Sequence, residues 1–273
     1  MDTKKQARAP KSVIFGEEAF NKTDNTIIRW LGNAGALINS HGTTIMIDPL
    51  LLDFSMPLLI DIPVKTKDVP NLDAVIITHC DGDHYDPSTC KSLASVCKEF
   101  HSTQYVAELM RDEGLNSLGH NIGNKFSVGS IDITLTAADH AWQNEHSKYT
   151  RVYKFEDYCG FWIDTPNGSI WVPGDSRLLE EHLQMPTPDA MLFDFSDNSW
   201  HIGLKGAIKL ANNYPDTPLL LYHWGSVDAP HMDAFNGNPD DLIKAVINPN
   251  RVKIIAPGEP YILTPLKKCK KNL

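Results

Sequence analysis

No run of apolar residues in this 273-residue chain is long enough to span a bilayer as a helix. The most apolar stretch, residues 50–64, is interrupted by Asp53, Pro57, Asp61 and Pro63. It reads as a segment that covers something: a pocket mouth, a subunit contact or the chain's own core. Residues 1–10 are polar and basic with no apolar centre, so no secretory signal is read there. Positive charge is in deficit: 25 Lys and Arg face 34 Asp and Glu, a net charge of −9. That balance argues against a nucleic-acid backbone as the main partner, though one or two basic residues would suffice for a small phosphorylated substrate. Cysteine is scarce and odd in number. Cys80, Cys90, Cys97, Cys159 and Cys269 show no framework spacing, which excludes a disulfide scaffold and reads as reduced thiols in a cytoplasmic protein. There is no fixed-period repeat and no low-complexity linker.

What is present is an ordinary globular composition, 42% hydrophobic and 22% charged, sufficient for a substantial core. Short apolar β-branched segments at 27–31, 36–38 and 43–47 are punctuated by Gly32, Asn33, Gly35 and His41-Gly42, which predicts an antiparallel meander. A strand over 73–78 follows, then a helix over 87–98 capped by Ser88. A second round opens near Gln104 with a helix over 107–113. It continues with strands at 125–128, 131–135, 151–155, 160–164, 170–172 and 191–195, a helix at 204–212, a strand at 219–222 and a helix at 239–246. Two rounds of strands and helices without a linker predict one α/β domain over 1–273, with two sheets inside and helices outside. Residues 1–23 read as a lead-in and 265–273 as a basic tail, both peripheral.

The densest chemistry lies in His79-Cys80-Asp81-Gly82-Asp83-His84, directly after the strand at 73–78. Two histidines and two aspartates in six residues exceed what a turn requires. Imidazole suits zinc, iron and similar ions, and carboxylate suits harder ions such as manganese. Three later apolar segments also end in a potential ligand: 133–138 before Asp139-His140, 170–172 before Pro173-Gly174-Asp175, and 219–222 before His223. Strands packed side by side bring such ends to one edge of a sheet.

In this order the motifs resemble the metallo-β-lactamase superfamily, over roughly residues 26–246, with Asp48 before Pro49 matching that superfamily's early aspartate. Residues 78–86, and the spacing from Gly174-Asp175 to His223, look most like the L-ascorbate-6-phosphate lactonase-like branch. The resemblance implies a four-layer αβ/βα sandwich. It implies that His79, Asp81 and His140 hold one divalent metal, that Asp83, His84 and His223 hold a second, and that Asp175 bridges them. Zinc or manganese is expected, with iron as a further choice. Asp81 departs from the usual histidine, which hardens the first site towards manganese or iron.

The reaction class so implied is hydrolysis of a small ester or lactone, with a sugar-acid lactone as one form, by metal-activated water that Asp83 orients. A phosphodiesterase acting on a nucleotide or lipid-like phosphoester is the alternative. A non-catalytic metal-binding oligomeric scaffold and a di-iron oxidoreductase are two more distant ones. The expected partner is a small molecule, with no nucleic acid, no membrane span and room for a homo-oligomer. Around the metals, His201 is a candidate proton donor and substrate ligand, and Arg177 and His231 are candidate substrate contacts. Trp142, Trp200 and Trp224 neighbour these positions as pocket walls or core. His41, His101, His120, His146 and His182 take no role.

Overall fold

Three strands joined by tight turns open the sheet structure: β1 (Thr26–Gly32), β2 (Gly35–Ser40) and β3 (Thr43–Ile47), paired antiparallel as the punctuation predicts. The computed structural model describes residues 6–52, 54–140, 144–145 and 151–266. The two turns place Asn33 (φ 44°) and His41 (φ 56°) in the left-handed region that such hairpins use. From β3 the pairing becomes parallel, through β4 (Leu72–Ile76), β5 (Cys97–Thr103) and β6 (Ser117–His120). Helices α1 (Pro87–Leu93) and α2 (Gln104–Asp112) occupy the last two crossovers.

The second half repeats this plan. Strands β7 (Lys125–Val128), β8 (Ile131–Thr136), β9 (Gly160–Thr165) and β10 (Gly168–Val172) run antiparallel. Strands β11 (Ala190–Phe193), β12 (Leu219–Leu221) and β13 (Val252–Lys253) then add in parallel, with α3 (Gly203–Asn213) and α4 (Pro239–Ile243) in the connections. A last strand, β14 (Pro260–Ile262), returns to the first sheet beside β1. Two seven-stranded mixed sheets result.

Period-two alternation assigns each strand's side chains to two different cores. Ile45 and Ile47 of β3, with Ala74 and Ile76 of β4, face the second sheet's Ile131, Ile133, Phe161 and Ile163. Met46 and Val75 point the other way, onto Leu93 of α1 and Val106 and Met110 of α2. A sheet buried on both faces explains the near-continuous apolar runs in the sequence. The arrangement is the αβ/βα sandwich.

Several boundaries differ from expectation. The helix after Pro87 stops at Leu93, and its cap is Asp86 rather than Ser88: the Asp86 carboxylate accepts from Ser88 N–H (3.0 Å) and Thr89 N–H (2.9 Å). Cys97 to Thr103 forms β5 instead, because pairing between β4 and β6 outweighs local helix preference. Gln104 opens α2 directly, and the predicted start at 107 is too late. Residues 151–155 form no strand: Asp157 accepts from Lys154 N–H (2.9 Å) and pairs with Arg151 (2.7 Å), closing a short 3₁₀ turn. The lead-in is not peripheral either. Phe15, Ala19 and Phe20 are buried in the helix-side core, and Ala9 N–H donates to Gly225 O (2.9 Å). The basic residues 267–273 lie outside the described residues. Asp86→Ala is expected to cost about 1 kcal/mol, the usual worth of an N-cap carboxylate, read as a lower urea midpoint at unchanged m-value.

Candidate metal centre

Each ligand candidate, like the early aspartate Asp48, stands at or just after a strand's carboxyl end. Asp48 follows β3, the 79–84 turn follows β4, His140 follows β8, Asp175 follows β10 and His223 follows β12. Asp48 (φ 40°) and His223 (φ 60°) both adopt left-handed backbone, a conformation that non-glycine residues keep only when their surroundings enforce it. Two hydrogen bonds do so here. Thr78 N–H donates to Asp48 Oδ1 (2.7 Å), and His223 N–H donates to Asn33 O (2.8 Å).

The histidines are oriented by their outer nitrogens. His84 Nδ1 bonds Asp48 Oδ2 (2.8 Å), His140 Nδ1 bonds Trp200 O (2.8 Å), His79 Nδ1 bonds Thr78 Oγ1 (3.0 Å) and His201 Nδ1 bonds Asp194 Oδ2 (2.5 Å). With Nδ1 engaged, each Nε2 is turned inward, and for His79, His84 and His140 this is the orientation that metal-ligating histidines are given by such outer partners. The inner atoms meet the carboxylates. Asp175 Oδ2 lies 3.0 Å from His84 Nε2, 3.4 Å from His201 Nε2 and 3.5 Å from His223 Nε2. Asp81 Oδ2 lies 3.2 Å from His140 Nε2 and 3.4 Å from His79 Nε2, and Asp83 Oδ2 lies 3.3 Å from His223 Nε2.

Among the described residues three groups of donor atoms lie close enough together to hold an ion: Asp83, His84, Asp175 and His223; His79, His140 and Asp175; and Asp175, Asp194, His201 and His223. Buried His79 Nε2 and Asp175 Oδ1 lack a hydrogen-bond partner among the described residues. An orphaned buried polar atom costs about 1–3 kcal/mol, and a cation between them removes that cost. The donor set fits divalent metals.

Electrostatics agree. Burial pushes the Asp175 carboxyl up, but His201, His223 and His84 outweigh it and hold the group well below the usual carboxylate range. At Asp81 burial is likewise outweighed by His140 and His79, which pull the carboxyl down to about 2. Burial depresses His201, but the Asp175 and Asp194 carboxylates raise it to about 9. The carboxylates are therefore ionised, as ligation requires.

Above the cluster is a cavity of about 210 Å³, lined on its polar side by Asp81, Asp83, His140, Asp175 and His201. His201, expected at best to face the site, is buried within it. Two proposed substrate contacts stand elsewhere. Arg177 is held by Glu145 (2.8 Å) and Ser199 O (3.3 Å) and does not line the cavity, while His231 is exposed on its loop. Trp200 lines the cavity, and Trp224 stacks on Trp30 in the core (6.2 Å, 12°). Trp142 and His146 lie outside the described residues. Sequence reading missed Asp194 and Asn33. Asp194 follows β11 as a strand-end acid, hidden when that strand is drawn through Phe195. Asn33 donates from Nδ2 to Asp83 O (2.8 Å), and nothing in its turn context announces this.

A family model, the beta-lactamase superfamily domain, matches residues 43–224, which contain all seven expected ligands. A UPF0173 metal-dependent hydrolase of Archaeoglobus fulgidus is 25% identical over 244 residues, covering 86% of this chain and 97% of that protein. Another, from Rubrobacter xylanophilus, is 30% identical over 184 residues, covering 63% and 71%. The fold is shared with a possible metal-dependent hydrolase of Veillonella parvula, at TM-score 0.71 and 19% identity over 88% of this chain and 100% of that one. The chain belongs to the beta-lactamase superfamily, among the UPF0173 metal-dependent hydrolases.

Proposed function

We propose that the chain, acting as one domain, is a metal-dependent hydrolase that cleaves a small ester or lactone at this cluster. His79, Asp81 and His140 would hold one divalent cation and Asp83, His84 and His223 the other, with Asp175 shared and zinc, manganese or iron as the ion. When bound, such cations lower the pKa of water and polarise the substrate oxygen. The observation that carries the reading is the outward tether on Nδ1 of His79, His84 and His140, which turns each Nε2 towards carboxylates beneath an open cavity.

The remaining work falls to the chain's own groups. Asp83, whose side chain is 19% exposed at the cavity floor, orients the attacking water with its carboxylate. His201 holds its Nε2 towards the floor because Asp194 engages Nδ1, and it delivers a proton to the leaving oxygen. Water oxygen joins the acyl carbon, the bond to the alcohol oxygen breaks, and acid and alcohol leave.

The test is elemental analysis of protein purified without added metal, combined with assays on a lactone panel and on bis-p-nitrophenyl phosphate. Bound transition metal and lactone turnover are expected. Turnover of the phosphodiester alone, or full activity in metal-free protein, would overturn the reading. Chelation should also lower Tm, since an ion present at a thousand times its Kd stabilises the fold by about 4 kcal/mol. Differential scanning fluorimetry before and after chelator removal reads this shift, and an unchanged Tm in protein shown to have lost its metal would count against the site.

A further inference from the structure

The cavity has two unlike halves. Its floor is ionic, whereas its roof is Phe54, Met56, Trp200, Met232 and Phe235. Two loops tied to each other build most of that roof. Leu58 bridges Val227, Leu59 N–H donates to Ser226 O (2.8 Å), and Asp228 N–H donates to Pro57 O (2.8 Å). Phe54, Met56 and Leu58 pack with Val227, Ala229, Ala234 and Phe235 as a separate apolar cluster. Phe235 also lies flat against the His223 ring (5.5 Å, 14°), so the roof reaches down to the ligands. The apolar segment 50–64 thus contributes to a pocket mouth.

Charge separates the substrate classes. Among the described residues no Lys or Arg lines the cavity. Three carboxylates, Asp81, Asp83 and Asp175, line its floor. An anionic group on the substrate would therefore meet these carboxylates with no lysine or arginine beside it to hold it. At about 210 Å³ the space is smaller than the roughly 300–1,000 Å³ of pockets for drug-sized ligands.

We infer that the substrate is a small neutral ester or lactone whose apolar body lies under the Phe54–Met56–Met232–Phe235 roof with its carbonyl on the carboxylate floor. This rests on the hydrolase reading for the bond that is cleaved, and it replaces the sugar-acid lactone suggested by resemblance with a hydrophobic acyl group. Each further buried methylene should raise kcat/KM about fourfold until the cavity is full.

Binding to the purified, metal-loaded protein tests the assignment separately from turnover. Hexanamide and adipic acid monoamide share the amide and differ only at the far end, which is methyl in one and carboxylate in the other. Calorimetry should show hexanamide binding at least tenfold more tightly, and Met232→Lys, at an exposed roof position, should narrow or reverse that preference. Equal or tighter binding of the monoamide, or no binding of either, overturns the inference. Hexanamide binding with this preference, but no hydrolysis of p-nitrophenyl hexanoate or caprolactone, would sink the hydrolase reading and leave the pocket assignment standing.

Discussion

Asp175→Ala is expected to lower kcat/KM at least a thousandfold, about 4 kcal/mol of transition-state stabilisation, and to strip metal from the purified protein. Asp175 belongs to all three groups of donor atoms found among the described residues, so its loss would take a ligand from any cation the cluster holds. The backbone that delivers it is also constrained. Gly174 (φ 73°) turns against Cys159 O, where a Cβ would stand 2.7 Å from that carbonyl, so the turn that delivers Asp175 requires glycine. Alanine leaves His84, His201 and His223 facing one another without the carboxylate between them. Asp175→Asn keeps the shape and removes the charge, which separates packing from ligation. Both variants should keep the wild-type circular dichroism spectrum. Wild-type metal content with activity within tenfold in either variant would overturn the shared-ligand role proposed for Asp175.

The strand ends were the most legible part of the sequence. A buried strand is an apolar run, and the residue where the run stops is where the sheet edge begins, so the apolar runs alone locate His79, Asp175 and His223 at strand ends. The same rule contained Asp194 and missed it, because Phe195 prolongs the apolar run past the strand's real end at Phe193. Arg177 and His231 failed for a different reason. Nearness in sequence to a ligand fixes a backbone position, not a side-chain direction, and Arg177 turns outward to Glu145. The β5 strand was hidden because its Lys98, Glu99, His101 and Ser102 carry no clear alternation. Its pairing on both edges, a non-local effect, decides it. Asn33 was illegible in principle. Its value lies in bonds to Asp83, Ser226 and His223, which are 50 or more residues away in the chain.

Asn33 also explains why the largest stability effect should fall on a residue that touches no ligand. Trp30→Ala is expected to destabilise the fold by about 3–5 kcal/mol, the usual range for removing a large buried aromatic. Trp30 is fully buried between the sheets and stacks on Trp224, the residue after His223. Its Nε1–H donates to Asn33 O (2.7 Å), the same carbonyl that accepts His223 N–H. Removing the indole opens a cavity beside that shared acceptor and frees Trp224, so the left-handed backbone of His223 loses part of its enforcement. Metal affinity should fall along with stability, by roughly the 10–100-fold typical when a ligand's outer support is lost. Trp30→Phe separates the two contributions. It keeps one ring of the stack, loses the bond to Asn33 and leaves a smaller cavity, so it should cost about 1–3 kcal/mol, less than Trp30→Ala, with a smaller fall in affinity. Urea unfolding of the metal-free proteins reads the stability term, and metal titration of the folded proteins reads the second. Undiminished metal affinity in Trp30→Ala would show that the core and the His223 turn are not coupled.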